Sequence, residues 1–528
     1  MKKQTFIQGT LILFAAGLLN RILGFIPRIT LPRIIGAEGV GLYQLGYPFL
    51  LVMLTIITGG VPLAVAKLVA EADSVGNQQR VRSIVRAALW MTSSVAIVLT
   101  VTSLTLSSWI TTHVLTDDRV YYTFLFMTPN IIIIAVASVL RGYFQGKQNM
   151  IPTAASQVTE TLVRIVTVIG GAYLLLPYGL EWAAAGAMLG VVVGELSGLL
   201  VLVLQWRRHH KKKDGAIDAT ANNVLASQPV EQERPAWRSL VRIALPVTGG
   251  KLIGSLSYLL ESITIARSLA AAGIVTAVAT AQYGALQGMI IPILLLPGAL
   301  TYSLSVSLVP SLSEAYGRKD MATIHMRMHQ AIRLALVSGA PFAVVMYILA
   351  LPLCSVLYDD ISVAPMLQWM APVAIFIYLQ APLQAALQAL DRPGMALMNT
   401  FVGAIVKLGL IIQLASMPHL GIQGAVIAIN VNILIVTLLH GWSLIRTFKI
   451  KITWIDFAKV GVAMIIIAGA IQATYQHFPL TNSVFVRLSA ACLVGLCLYV
   501  ALLIMMRLID RNDLTRLPLI GRFLSSRT

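Results

Sequence analysis

Along nearly its whole length the chain alternates between apolar runs of about 20 residues or more and short charged or Gly/Pro-containing connections. A helix of that length crosses the hydrocarbon layer with every backbone polar group satisfied internally, and few other folds tolerate so many such runs. The runs fall around 5–29, 40–66, 84–110, 121–141, 153–176 and 182–206. A second set lies around 239–267, 278–309, 331–357, 364–390, 395–416 and 421–446, with a last pair around 456–476 and 484–508. The expectation is an all-α polytopic membrane protein of about fourteen spans. Composition agrees: 57% of the 528 residues are hydrophobic and 11% charged, with a mean hydropathy of +0.82, which excludes a soluble domain. Met1-Lys2-Lys3 before an apolar run mimics a signal peptide, yet the run continues through Arg21 toward Ile35, so it reads as an uncleaved first span.

Basic residues supply an independent test of topology, because Lys and Arg are retained on the cytoplasmic side. With both termini inside, about 30 of the 39 Lys and Arg fall in cytoplasmic loops or tails and about five outside. The net charge of +18 then follows from topology and anionic headgroups and requires no nucleic acid. Cys354, Cys492 and Cys497 all lie in apolar segments without metal-ligand spacing, so neither disulfide nor metal is expected, and no cofactor is implied.

After the sixth span, Arg207-Arg208-His209-His210-Lys211-Lys212-Lys213 leads into a polar stretch without apolar periodicity, read as a flexible cytoplasmic linker. The linker divides a repeat. At an offset of 243, Glu71-Ala72 falls on Glu314-Ala315, Gln145 on Gln388 and Arg164 on Lys407; Asp117-Asp118 meets Asp359-Asp360 at 242. The order and near-constant spacing of the matches indicate duplication. The expected domains are a six-helix lobe over 1–206, the linker over 207–237, a second six-helix lobe over 238–446, and two added helices with a basic cytoplasmic tail over 447–528. Parallel repeats of this kind hold a substrate between the halves and expose it alternately to each side.

Four cations, Arg21, Arg164, Lys251 and Lys407, stand inside the spans. Each costs about 2.5 kcal/mol or more at the bilayer centre, so each requires a partner, a polar cavity or an anionic substrate. Glu160 and Arg164 are four apart on one helical face, and either neutralise one another or share a binding site. Lys407 occupies the position equivalent to Arg164, with Gly403 where a partner acid would be, which marks it as a substrate contact. Lys251 and Glu261 are about 15 Å apart along one helix and cannot pair directly. Glu195 lies deep enough to neutralise one of the cations, and Glu160, Glu195 and Glu261 are the candidates for ion coupling. In the first span, Gly24 and Pro27 loosen a helix that carries Arg21 and Arg28 two turns apart, suited to a gate that grips phosphates with planar guanidinium forks. Arg28 and Arg33 also suit the outer headgroup level.

Arg21-Ile22-Leu23-Gly24-Phe25 with Arg28 and Arg33 resembles the first-helix motif of MurJ-like lipid II flippases. Further stretches resemble the stage V sporulation protein B family of endospore-forming bacteria, within the multidrug/oligosaccharidyl-lipid/polysaccharide exporter superfamily. These are Lys3-Gln4-Thr5-Phe6, Glu38-Gly39-Val40-Gly41-Leu42-Tyr43, Leu140-Arg141-Gly142-Tyr143-Phe144-Gln145-Gly146-Lys147-Gln148-Asn149-Met150, Thr301-Tyr302-Ser303-Leu304-Ser305 and Leu517-Pro518-Leu519-Ile520-Gly521-Arg522. The resemblance implies two six-helix lobes around a central cavity, with two added helices bordering a groove for a lipid tail. It also implies transport of an undecaprenyl-pyrophosphate-linked saccharide, a peptidoglycan precursor for spore cortex, across the bacterial cytoplasmic membrane, while the need for a cell-wall polymerase partner stays open. Arg21 and Arg28 match the residues that bind the pyrophosphate in that family, and Arg164, Lys251 and Lys407 join them as substrate-binding candidates. Ser255 stands at the repeat position of Arg21, so the roles of Lys251 and Arg267 stay open.

Leu140-Arg141-Gly142-Tyr143-Phe144-Gln145-Gly146 reads as a structural turn at the end of the fourth span or an inner gate; no strand precedes it and no phosphate-binding ending follows. Asp117-Asp118 and Asp359-Asp360 read as solvated turns in outer loops. No Ser/His/Asp or His-x-x-x-His arrangement is present, so no catalytic residue is expected. Two alternatives to a flippase are a multidrug or metabolite cation antiporter, which would need acids as its exposed cavity charges, and a membrane glycosyltransferase or ligase, which would need a large outer loop.

Overall fold

The computed structural model describes residues 6–217, 235–450, 454–477 and 483–508. The linker beyond residue 217, the tail beyond 508, and the stretches Lys3-Gln4-Thr5 and 517–522 lie outside the described residues. Among the described residues there are helices and no strands, and thirteen candidate spans. The first of these, Ile12–Ser74, is 63 residues long, about 95 Å of helical rise and far beyond one crossing. It covers the two spans expected over 5–29 and 40–66, which brings the count to the predicted fourteen.

The chain forms two compact units, Met1–Met289 and Ile290–Thr528. Counting α-helices of seven residues or more, the first unit holds α1 (Phe6–Leu23), α2 (Phe25–Leu45), α3 (Tyr47–Thr58), α4 (Val61–Ser74), α5 (Gln78–Thr105), α6 (Tyr121–Met127), α7 (Asn130–Gly146), α8 (Ile151–Leu175), α9 (Leu180–Ile217), α10 (Ala236–Ala271) and α11 (Thr276–Gly284). The long N-terminal apolar stretch breaks where glycine removes the side-chain restraint. The turn at Gly24 separates α1 from α2, and Gly36 interrupts α2 with φ 66°, a conformation that costs other residues about 1–2 kcal/mol. The expected bend in the first span is therefore present. α10 and α11, which follow the linker, pack within this unit: α11 lies on α2, and α10 lies on α3, α4 and α5. The helix α9 carries on through the basic run, so regular structure reaches Ile217, eleven residues past the expected lobe boundary at 206.

The second unit holds α12 (Gly298–Gly317), α13 (Met321–Ile348), α14 (Ala350–Tyr358), α15 (Ala364–Met370), α16 (Ala374–Ala389), α17 (Pro393–Leu414), α18 (Ile422–Phe448), α19 (Trp454–His477) and α20 (Val484–Met505). Its core joins α12, α13 and α16 to the two added helices through residues such as Met328, Leu387, Ile467 and Ala491. Tyr378 Oη donates to Leu294 O (2.9 Å) and Tyr499 Oη to Val337 O (2.9 Å), so both buried phenols are satisfied. Large apolar side chains such as Ile97, Val98 and Val101 on α5 remain outside the cores, which suits a lipid solvent. The protein is a multi-pass membrane protein.

Candidate functional site

Glycine places the central charges. On α9, Gly186, Gly190, Gly194 and Gly198 recur every fourth residue and form one stripe facing α8. A Cβ added at Gly186 would stand 2.3 Å from Gly171 O; one at Gly190 would stand 2.4 Å from the Thr167 carbonyl carbon. The two backbones therefore touch, and polar bonds cross at two points of the stripe: Ser156 Oγ donates to Gly198 O (3.0 Å) and Thr167 Oγ1 to Gly190 O (2.7 Å). Between those bonds, Gly194 lies against Arg164 and Gly198 against Glu160. Glu195, next to Gly194, is thereby held beside the acid and base of α8.

The resulting network has four charges from three helices. Arg164 Nη1 donates to Glu160 Oε1 (3.1 Å), which is the expected pair. Arg141 on α7 donates from Nη2 to Glu160 Oε2 (2.8 Å) and lies 3.9 Å from Glu195 Oε2. Glu195 is 9% exposed, and its buried Oε2 makes no hydrogen bond among the described residues. The cation within 4 Å of Glu195 is thus Arg141, which the sequence did not single out, with Arg164 next to it through Glu160. The segment around Arg141 is also not a turn: α7 stays helical to Gly146, because Gly142 and Gly146 let it approach the backbone of α4 at Pro62 and Ala66. The turn comes at Lys147-Gln148-Asn149, with Gln148 at φ 54°. Two glycines four apart on an apolar helix, the same spacing as on α9, were the available signal.

Arg164 keeps 31% of its side chain exposed despite its pairing, and Arg28 of α2 is exposed. Arg28 and Arg164 thus come from two helices of the first unit that pack against one another. Arg21 is exposed at the end of α1. Glu261 is buried and accepts a hydrogen bond from Gln287 Nε2 (3.0 Å), a neutral partner. Lys251 Nζ donates to Gly59 O (2.7 Å) at the break between α3 and α4, where the helix end leaves a carbonyl to satisfy. In the second unit, Lys407 is 8% exposed on α17.

Asp117 departs from its expected role as a solvated turn residue. It is 4% exposed and binds Arg119 in a bidentate manner, with Nε to Oδ1 at 3.0 Å and Nη2 to Oδ2 at 2.9 Å. Arg119 also pairs with Glu38 of α2, and Thr280 of α11 donates to Asp117 Oδ2 (2.6 Å). Nearby, Arg267 Nη2 donates to His113 O (3.0 Å), which gives Arg267 a backbone partner in this region. Asp360, by contrast, caps its own exposed turn by accepting from Ser362 N (2.8 Å).

The family described as "Polysaccharide biosynthesis protein" matches residues 6–316, and the MatE family matches residues 256–412. The chain is 42% identical over 525 residues to "Stage V sporulation protein B" of Bacillus subtilis, covering 99% of this chain and 100% of that protein. It is 26% identical to "Lipid II flippase MurJ" of the same organism, covering 83% and 82%. Among solved structures it is similar to "Lipid II flippase MurJ, inward closed conformation", with TM-score 0.69, 16% identity and coverage of 94% and 99%, a likeness of fold. A full-length match at that identity, joined to a family match over more than half the chain, makes this protein a member of the stage V sporulation protein B family of polysaccharide transporters.

Proposed function

We propose that the protein flips an undecaprenyl-pyrophosphate-linked saccharide, a peptidoglycan precursor for spore cortex, from the cytoplasmic to the outer leaflet by alternating access. The observation that carries this reading is the pair Arg28 and Arg164 on the packed helices α2 and α8: two guanidinium groups inside a membrane unit, neither closed off from an incoming anion. A pyrophosphate offers the bidentate acceptor geometry that a guanidinium fork fits best. Full-length similarity to a sporulation protein and lower similarity to a lipid II flippase support the cargo class. Arg21 and Arg28 would meet the pyrophosphate first, and Arg164 would hold it deeper, while Lys251, bonded to Gly59 O, and the buried Lys407 have secondary roles.

Glu160 in this reading presents Arg164 and gives it up in part when the anion arrives; Glu195 and Arg141 keep the residual charge balanced. A cation antiporter is the weaker reading, because Glu160 and Glu195 already lie beside arginine. The test is flipping of a fluorescent undecaprenyl-pyrophosphate saccharide in liposomes containing the purified protein. Flipping that is lost in Arg28→Ala and Arg164→Ala is expected; transport of cationic dyes without any effect of the lipid-linked saccharide would replace the proposal by the antiporter.

A further inference from the structure

A second group of cations lies away from the charge network, where the last two turns of α4 meet the first two turns of α10. Lys67 and Glu71 come from α4, and Arg238 and Arg242 from α10, around a cavity of about 760 Å³. Arg238 and Arg242 are four apart and so project from one helical face. Three cations face one acid. The Lys67–Glu71 contact is long (3.9 Å), with both side chains more than half exposed, and contributes little. Neither Arg238 nor Arg242 has an acidic partner among the described residues.

The depth of the cleft is fixed by its own residues. α10 is a spanning helix, and the cleft takes in its beginning, so the arginines stand at a membrane–water boundary. Trp237, 53% exposed, stacks under the Arg238 guanidinium at 5.2 Å from the ring centroid. Exposed tryptophan beside arginine at a span end belongs to the headgroup layer. Leu68 and Ile243 supply an apolar wall, and the Ser239 hydroxyl a further polar group. A soluble anion would have no use for the wall or the tryptophan; a lipid phosphate uses all of them.

We propose that this cleft binds the phosphate headgroup of a resident anionic phospholipid, which clamps α10 onto α4. The clamp follows from the shape of α10. Pro246 lies inside the helix and leaves the Arg242 carbonyl without its helical donor, and Gly249, Gly250 and Gly254 follow, so α10 resists bending least at this point, while Ala236, Leu240 and Ala244 before it pack on α4. Around this point, α10 is already held at the α3–α4 break, where Gly60 packs on Ala244, Gly60 N donates to Thr248 Oγ1 (3.0 Å) and Lys251 donates to Gly59 O. Before it, Arg238 and Arg242 face Lys67 across the cavity with like charge, and a phosphate converts that repulsion into a bridge. A ligand that bridges two elements favours the arrangement in which they are close, and that arrangement binds the ligand more tightly in return.

The test uses the full-length protein in detergent, with dioleoyl phosphatidylglycerol, dioleoyl phosphatidylcholine and glycerol 3-phosphate as separate probes. Native mass spectrometry measures bound lipid, and hydrogen exchange over residues 236–245 measures the clamp. Phosphatidylglycerol is expected to bind at least tenfold better than phosphatidylcholine and to slow exchange over 236–245, and both effects should vanish in Arg238→Gln/Arg242→Gln. The Arg238→Lys/Arg242→Lys variant, which keeps the charge, should retain much of the binding and thereby show that a loss in the glutamine variant is not a folding defect. Phosphatidylglycerol binding unchanged by the glutamine substitutions would overturn the proposal. So would equal protection by glycerol 3-phosphate, which would make the cleft a soluble-anion site, or displacement of the phospholipid by stoichiometric farnesyl pyrophosphate, which would make it a station for cargo.

Discussion

The helix pair α8–α9 and its repeat counterpart α17–α18 differ in which helix carries the glycine at the level of the charges. At an offset of 242, Gly186, Gly190, Gly194 and Gly198 correspond to Ala428, Asn432, Val436 and His440, while at 243 Glu160 and Arg164 correspond to Gly403 and Lys407. In the first pair the glycines at the charged level, Gly194 and Gly198, are on the second helix, and the first helix carries Arg164 and Glu160 over them. In the second pair the glycine is on the first helix: a Cβ at Gly403 would stand 2.3 Å from Val436 Cγ2 and 2.6 Å from Asn432 Oδ1. At this level small and large residues have exchanged sides, whereas elsewhere both helices give glycines, Gly171 of α8 against Gly186 and Gly424 of α18 against Leu414. Only the first pair therefore has room for two carboxylates and two arginines, and its Arg164 stays partly open where Lys407 is buried.

The largest expected effect comes from filling the glycine stripe. Gly190→Leu places a side chain into the Thr167–Val168 backbone, and with no flexible neighbour to yield it should cost more than about 3 kcal/mol and abolish accumulation of folded protein. The reverse change in the other pair, Ala428→Gly, should cost only about 1 kcal/mol in helix propensity. Equal losses in detergent-unfolding midpoints would break the contrast. Next, Arg141→Gln leaves Glu195 without its nearest cation and should cost about 3 kcal/mol, most of it recovered by adding Glu195→Gln. If the double variant is no more stable than the single one, the two side chains do not act together.

A smaller effect is expected from the Glu160–Arg164 pair, since Arg164 is about a third exposed: a double-mutant cycle should return about 1 kcal/mol or less. The smallest concerns two repeat-equivalent helix caps. Asn77 Oδ1 accepts from Arg80 N (2.8 Å) at the start of α5, and Asp320 Oδ1 from Thr323 N (3.0 Å) at the start of α13. The Thr323 hydroxyl, followed by its amide, holds the Asp320 carboxyl below the usual aspartate range. A group depressed on folding stabilises fully above its unfolded value, about pH 4, and loses that contribution as pH falls through the lower folded value. Asp320→Asn should therefore flatten the acid limb of the stability profile slightly, and Asn77→Ala should leave its slope unchanged; thermal melts between about pH 2 and pH 7 compare them.

Local spacing was legible in the sequence where chemistry and helix period coincide. Glu160 and Arg164 are four apart and pair as that spacing requires, and the long apolar runs became the spans. Arg141 was missed because Gly142 and Gly146 suggested a turn, whereas their use is to admit the α4 backbone, a contact more than seventy residues away in the chain. Asp117 was missed for the same kind of reason: two of its partners or their bridges, Glu38 and Thr280, come from distant helices, and only Arg119 is local. Side-chain identity announces a buried charge, but the fold decides which opposite charge it meets.

Binding of undecaprenyl pyrophosphate to the wild type, Arg28→Ala, Arg164→Ala and Lys407→Ala, measured by native mass spectrometry, tests the central claim most directly. Either arginine substitution is expected to weaken binding about tenfold or more, some 1.4 kcal/mol, and Lys407→Ala to change it less than about twofold. Wild-type affinity in both arginine variants, with the loss confined to Lys407→Ala, would contradict the claim.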